Sequence, residues 1–487
     1  MKNKSKNQVE SKPILYHGRK PLNRREFLAS GAIPFMAYVT VPSVLSILGR
    51  GGVAEAAEIC ASSTQKMAPV VTINLNGGAG LTRNWIPLTE GRELLQKYHR
   101  IGLGLGSNLA SQISRAFRNN APFYASSSML AGLRTSTVAG MADQALMSAD
   151  FVGVCQQSQN DTDANKFDIQ GLIAKAGLKG RILPALGRVD NGIGVSNSTA
   201  LIAPPPPLIV GSVDSLANAL GISNRLGALT QVQKTNIFKA TSALSELQAR
   251  NLASMTGGTT LAGLVNQANS DNLQLVGNPA GLDLDPRNNA AFAQVWGLNA
   301  NTARNDSAYV SAALVYNAIN GNSGSIGIEM GGYDYHGDDL ASTNNKDLAA
   351  GVMIGRVIQS FHAMQSKGFI IVNSDGGVGA PASDTPGADP TTDRGDAGAV
   401  FMIAYDPTMT TQTSDSQLGH MKNNPDAEAA DDTFLVGGSV EVGAAAVFAN
   451  YLSFNGMLGK FSAMAETARI FEGSNLDKVV KIHGRKA

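Results

Sequence analysis

An α/β fold with a largely parallel sheet is what this sequence predicts, and three observations carry the prediction. Short β-branched, apolar runs recur at Val70–Asn76, Ser325–Met330, Phe369–Val372 and Val400–Ala404. The first three run straight into glycine pairs or asparagine, which is turn chemistry. Between the later runs lie helical patterns. Asp347–Lys367 has Leu348, Val352, Ile354, Val357, Ile358, Phe361 and Met364 at helical spacing, and Gly443–Phe471 is a second such stretch. Strands separated by helices imply a parallel sheet covered on both faces. A composition of 43% apolar and 16% charged residues supplies enough core for such a domain.

The first 56 residues read as an address rather than as fold. The start is polar and basic, and Asn23-Arg24-Arg25-Glu26-Phe27-Leu28 looks like a twin-arginine export signal. The stretch 29–48 is only mildly apolar and is broken by Gly31, Pro34 and Pro42. A spanning helix wants about 20 mostly apolar residues, so a cleaved leader is predicted instead of an anchor, and no stable membrane span in the mature form. Ala54-Glu55-Ala56 supplies a small-x-small cleavage site. The partner implied is the twin-arginine translocase, and the location is periplasmic or secreted. Removing the leader's nine basic and three acidic residues from totals of 39 and 38 leaves a net charge of about −5. A mildly acidic surface disfavours nucleic acid as a partner.

Both cysteines, Cys60 and Cys155, survive that cleavage, and an oxidising compartment permits them to pair or to stay as two buried thiols. Residues 57–69 read as a linker, and 70–487 as one domain with a helical and irregular insert around 200–305. Ile101–Gly106 is glycine-rich but lacks the G-x-G-x-x-G spacing, which excludes a dinucleotide site there. Leu201–Val210 contains the proline run 204–207 and reads as a rigid extended connector. Ser212 is placed to cap a helix over Val213–Leu220, and helices are predicted over Leu229–Met255 and Ala290–Trp296. Gly368 stands where a helix-terminating glycine belongs.

Polar residues collect where the predicted strands end. Val70–Asn76 ends in Asn74 and Asn76, and the run to Met330 leads to Asp334 and His336. Phe369–Val372 leads to Asn373, Ser374 and Asp375, and Asp393-Arg394-Gly395-Asp396 precedes Val400. Ligands in open α/β sheets sit beyond the carboxyl ends of the strands. Carboxylates with one imidazole suit a divalent cation: Mg, Ca, Mn or Zn. Asp338, Asp339, Asp384 and Asp389 read as turn residues. His362 reads as part of a solvated helix face, and His420 as a residue of a polar loop beside Asp415 and Asp426. No G-x-S-x-G occurs, so a serine-elbow hydrolase is excluded.

These residues carry a family resemblance. Gly331-Gly-Tyr-Asp-Tyr-His-Gly337 resembles the Gly-Trp-Asp-Thr-His segment of the bacterial exported family called domain of unknown function 1501. Val70–Pro87 resembles that family's opening strand and loop, Ile370–Pro381 its Val-Val-Met-Ser-Glu-Phe-Gly-Arg-Thr-Pro segment, and 393–396 its Asp-His-Gly-His. The twin-arginine leader is usual there. The family is similar to the alkaline phosphatase and sulfatase superfamily, which implies a three-layer α/β/α sandwich with a metal-bound nucleophile. Carried over, Asp334, His336, Asp375 and Asp393 are the ligands; if the chain is an enzyme, Asp396 is expected to join them at the metal, with Arg394 and Asn76 against substrate. Arg394 and Asp396 stand where the family has histidines, Val378 replaces an arginine, and Ala79 follows the glycine pair where a ligand or nucleophile belongs.

Two functions follow as expectations. One is metal-assisted hydrolysis of a phosphate or sulfate ester at an altered site. The other is a non-catalytic binding or envelope-assembly protein that keeps the fold. The exported protein is expected to begin at Ala57. Amino-terminal sequencing of periplasmic material checks this, and an uncut leader would refute it.

Overall fold

Val70–Leu75 (β1) forms a strand because six apolar or β-branched residues in a row can be buried on both faces at once. The computed structural model describes residues 67–102, 109–157, 169–178, 180, 183–188, 202, 208–219, nine positions between 232 and 250, 284–335, 337–374, 376–379, 392–393, 398–422 and 429–484. The leader, the proline run and most of 220–283 lie outside the described residues.

Seven further strands join β1 in one sheet. They are Ala149–Gln156 (β2), Leu183–Arg188 (β3), Leu208–Ile209 (β4), Ser323–Met330 (β5), Gly368–Ser374 (β6), Gly398–Tyr405 (β7) and Gln417–Leu418 (β8). The order across the sheet is β8-β2-β7-β6-β1-β5-β3-β4. β7 runs antiparallel to both its neighbours, and every other neighbouring pair is parallel. One edge of the sheet therefore gathers the carboxyl ends of all strands except β7, whose amino end lies there.

Strand alternation divides the core in two. Val71, Ile73 and Leu75 of β1, Ile370 and Val372 of β6, and Phe401 and Ile403 of β7 share one apolar cluster. Their alternates, Val70, Phe369, Ile371, Val400 and Met402, belong to the other. The first cluster takes in Ser128–Leu133 (α1), Ala290–Trp296 (α2), Ser307–Ile319 (α3) and Leu340–Ala363 (α4). The second takes in Gln170–Lys175 and Val440–Phe454 (α5). The predicted sheet with helices on both faces is what forms, and period-2 alternation is its cause.

Differences from expectation lie at element ends. Asp339 caps α4 by accepting from Ser342 N at 2.6 Å, so the helix starts at Leu340 and Asp347 falls inside it. The helix stops at Ala363, and Gly368 opens β6 instead of ending α4. A Cβ on Gly368 would come 2.2 Å from the Phe361 ring. Leu208–Ile209 is not a mere connector, since it pairs with β3 at the sheet edge. The last residues of the expected linker, 67–69, are part of the fold. Ala68 N donates to Asn455 Oδ1 at 2.8 Å and Tyr451 Oη donates to Ala68 O at 2.7 Å. The helix expected to Phe471 ends at Phe454, with a short helix at Gly459–Ala463. The helix after Ser212 spans Val213–Ala219, and Ser212 Oγ accepts from Ser215 N at 3.0 Å.

Glycine decides how closely α4 approaches α1. A Cβ on Gly351 would lie 2.1 Å from Met129 O, and one on Gly132 would lie 2.4 Å from Leu348 O. Backbone meets backbone at that crossing, so a methyl group must push the helices apart. Alanine is the better helix former by about 1 kcal/mol, yet Gly351→Ala is expected to lose about 1–3 kcal/mol through overpacking. Urea denaturation checks this, and unchanged or increased stability would refute the close contact.

Candidate functional site

Asn74 of β1 lies in register with Glu329 of β5 on one side and Asn373 of β6 on the other. Level residues of parallel strands point to the same face, so the three form a polar row across the sheet's end. Their exposures are 5%, 4% and 0%. A buried carboxylate is costly unless it is hydrogen-bonded. Glu329 is: Asn74 Nδ2 donates to its Oε1, and Asn76 Nδ2 donates to its Oε2 at 2.9 Å.

The exits of β1 and β5 stay joined beyond the strands. Asn76 N donates to Met330 O and Tyr333 N to Asn76 O, each at 2.9 Å. Gly77 makes that approach feasible. Its φ is +112°, and a Cβ there would lie 2.6 Å from Asp334 N. The Asp334 carboxylate is exposed at this edge. β6 is tied in by Ser374 Oγ, which accepts from Ala79 N at 2.7 Å.

Beneath this edge, α4 grips the segment that carries Asp334. Tyr335 Oη donates to Asp347 Oδ1 at 2.8 Å, and Tyr333 Oη donates to Lys346 O at 3.1 Å. Lys346 Nζ donates to Asp334 O at 3.1 Å and pairs with Asp338. Arg83, from the loop after β1, completes the cluster. Its guanidinium lies 5.4 Å from the Tyr335 ring centre, and its Nη1 lies 4.0 Å from Asp347 Oδ2. Its Nη2 donates to Asn344 Oδ1 at 3.3 Å. Burial pushes the Asp347 carboxyl up to about 6, while the Arg83 charge and then the Tyr335 hydroxyl pull the other way.

Of the expected site residues, Asn76 and Asp334 meet at this edge. His336, Asp375, Arg394 and Asp396 lie outside the described residues. Asp393 is described in its backbone alone, opposite Val378 in a two-strand ribbon that starts four residues past β6. Thr82, the nearest hydroxyl after the glycine pair, is buried and donates to Ile101 O at 2.8 Å. Asp338 and Asp339 have the structural roles given above. Asp384, Asp389 and Cys60 lie outside the described residues, and Cys155 is buried in β2.

Two histidines differ from expectation. His362 is half-buried with Nδ1 3.0 Å from Tyr405 Oη, and its stripe-mate Gln359 is buried against Ser136, so that helix face packs instead of facing solvent. His420 Nε2 lies 2.8 Å from Asp431 Oδ2, whereas Asp415 pairs with Arg92. Asp426 lies outside the described residues.

Sequence reasoning missed Glu329, Arg83 and Asp347. Glu329 announces itself as the lone acid in an apolar strand, two residues before a glycine pair. Asp347 lies on the stripe of Ile354, Ile358 and Phe361, seven residues before Ile354, and so belongs to the buried side of α4.

Among the described residues, no three His, Cys, Asp or Glu side chains gather closely enough to hold a metal ion. Of the five expected ligands, Asp334 alone has its side chain described. Comparison with family models, with curated proteins and with solved structures finds no match to the chain.

A folded-state carboxyl pKa raised above its unfolded value near 4 means that the folded chain binds the extra proton. Stability from this group is full below about pH 4 and is lost as pH rises through about 6. Asp347→Asn removes the titration. Between pH 4 and 7 the variant is expected to lose about 2–3 kcal/mol less stability than the parent, at about 1.4 kcal/mol per pKa unit. Urea unfolding at stepped pH checks this, and parallel profiles would refute it.

Proposed function

We propose that the chain is an exported protein of alkaline-phosphatase-like fold, related to the family called domain of unknown function 1501, and a metal-assisted hydrolase of phosphate or sulfate esters with an altered site. The observation that carries this reading is the gathering of Asn74, Asn76, Glu329 and Asp334 where β1 and β5 leave the sheet. Ligands of open α/β sheets bind outside such carboxyl ends. Connectivity supports adding further groups: Asp375 follows Ser374 directly, and Asp396 stands two residues before Gly398.

The donor set fits a hard divalent cation. Carboxylate and amide oxygens suit Mg, Ca or Mn, and His336 as one imidazole admits Zn. Asp334, His336, Asp375, Asp393 and Asp396 would hold the ion. When bound, such a metal polarises a phosphoryl or sulfuryl oxygen or activates water. Arg394 pairs with the anionic group of the substrate, and Asn76 faces that group with its side-chain oxygen while its amide holds Glu329. The twin-arginine motif supports export to the periplasm or beyond through the twin-arginine translocase. No described helix is long and apolar enough to cross a membrane.

One observation favours the second reading, a non-catalytic binding or envelope-assembly protein. Ala79 follows the glycine pair, and the hydroxyl of Thr82 is buried and already donated. A nucleophile from that loop is therefore lacking among the described residues, and hydrolysis would have to use water.

Elemental mass spectrometry of chelator-free mature protein tests the choice. Near-stoichiometric divalent metal is expected in the parent and at least a tenfold loss in Asp334→Ala and Asp375→Ala. A metal-free parent overturns the hydrolase reading and leaves the binding protein.

A further inference from the structure

The loop that carries Asp334 is held from below at four points, and all four belong to one short stretch of α4. Tyr333, Asp334, Tyr335 and Asp338 are each bonded to Lys346 or Asp347. Asp347 is fully buried, and Tyr335 has 0% exposure. Arg83 joins the same pair from the exit of β1, over the Tyr335 ring and beside Asp347. The loop packs through Tyr333 and Tyr335, and it turns at Gly332 and Gly337, which take φ of +79° and +80°. A glycine-flanked segment keeps one shape only if something outside it fixes that shape.

We infer that Arg83, Tyr335 and Asp347 form a buried latch that positions the Asp334 carboxylate at the sheet edge, joining the exit of β1 to that of β5 through α4. The three are positioning residues, since none reaches the edge. Charged and titratable groups face Asp347 from each packed element: Arg83 from the β1 exit, Tyr335 from the loop and Tyr98 from the 3-10 turn at Tyr98–Arg100. Tyr98 Oη donates to Thr82 O at 2.7 Å and to Arg83 O at 3.2 Å, which fixes the backbone from which Arg83 extends. Asn84 joins the other side of the latch to α1. It accepts from Ser127 Oγ at 2.6 Å, and Ser127 caps α1. The guanidinium position is therefore set by three elements before any ligand arrives.

The latch deepens the metal-site reading and rests on it for its use, but its mechanical content is tested without metal. Tyr335→Phe keeps the ring and removes the hydroxyl. In the full mature chain, hydrogen exchange is expected to speed up at least tenfold at the amides of Asn76 and Tyr333, whose bonds join the two exits, and of Asp338, which donates to Tyr335 O within the loop. Amides in the middle of the sheet, such as Ile73 and Val372, keep their rates. Asp347→Ala is expected to give the same local loosening, and the double variant no more than either single one. Should Asp347→Ala fail to fold, Arg83→Lys replaces it with the same expectation at Asn76. Unchanged exchange at those three amides in folded Tyr335→Phe overturns the latch, as does loosening spread equally over the sheet. Titration with Mn2+ then separates the two readings. A parent that binds, with Tyr335→Phe at least tenfold weaker, supports the latch as a positioning device. Equal affinity of parent and variant for Mn2+ overturns that role. A parent that binds no Mn2+ sinks the metal site, and local loosening in Tyr335→Phe then upholds the latch as a loop-ordering device alone.

Discussion

A carboxylate inside a sheet is the constraint from which the local architecture follows. Glu329 is buried in β5 with its side chain on a face packed by helices, and its two oxygens accept from Asn74 of β1 and Asn76 just past its end. A slip of one residue between β1 and β5 would turn Asn74 to the opposite face and offer the charge Ile73 or Leu75. The energetic penalty for an unpaired buried charge is several kcal/mol, so this contact specifies register more strongly than the apolar pairs below it. With β1 and β5 pinned, their exits must run side by side. Gly77 is the residue that tolerates the approach.

The second organising feature is the helix behind that edge. α4 is long, and its body packs by the apolar stripe of Ile354, Ile358 and Phe361. Its first turns do something else, holding the 331–339 segment by Lys346 and Asp347. The glycine contacts with α1 draw α4 in close enough for Asp347 to be fully enclosed. Packing density and site geometry are thus linked through one helix: the closer the helices approach, the less water reaches the Arg83–Asp347 pair. The cost appears in the Asp347 carboxyl, which burial raises above the usual carboxylate range against the pull of the Arg83 charge.

Much of this was legible in the sequence and some was not, for physical reasons. The four apolar runs became strands because nothing else buries such runs on two faces, and Asn76 and Asp334 reached one edge because parallel strands end together. Helix ends were misjudged where capping decided them. Asp339 was read as a turn residue, and the same oxygen that makes a turn also caps α4. Asp347 was read as the first residue of a helix whose apolar pattern opens at Leu348. Its burial depends on Arg83, more than 260 residues earlier, and no local pattern reports that. Gly368 was read as a helix terminator, while its lack of a side chain makes room for the Phe361 ring. Glu329 was missed because a single acid in a strand looks like an exposed alternate position. It takes the neighbouring strand's asparagines to make it a buried one.

The reversal of β7 has a consequence for how this protein can change over time. Between two parallel strands the chain must travel the length of the domain and back, and a crossover of fixed reach is needed. β6 and β7 are antiparallel neighbours, so residues 375–397 leave and re-enter the sheet at one edge. Their length is unconstrained by the fold, and lengthening such a connection costs little, about 0.6 kcal/mol per doubling. Insertions or deletions between the paired residues 379 and 392 would alter what stands above the strand ends without disturbing the pairing of the eight-stranded sheet. The surface at this edge can therefore diversify by loop length, independently of the core that supports it.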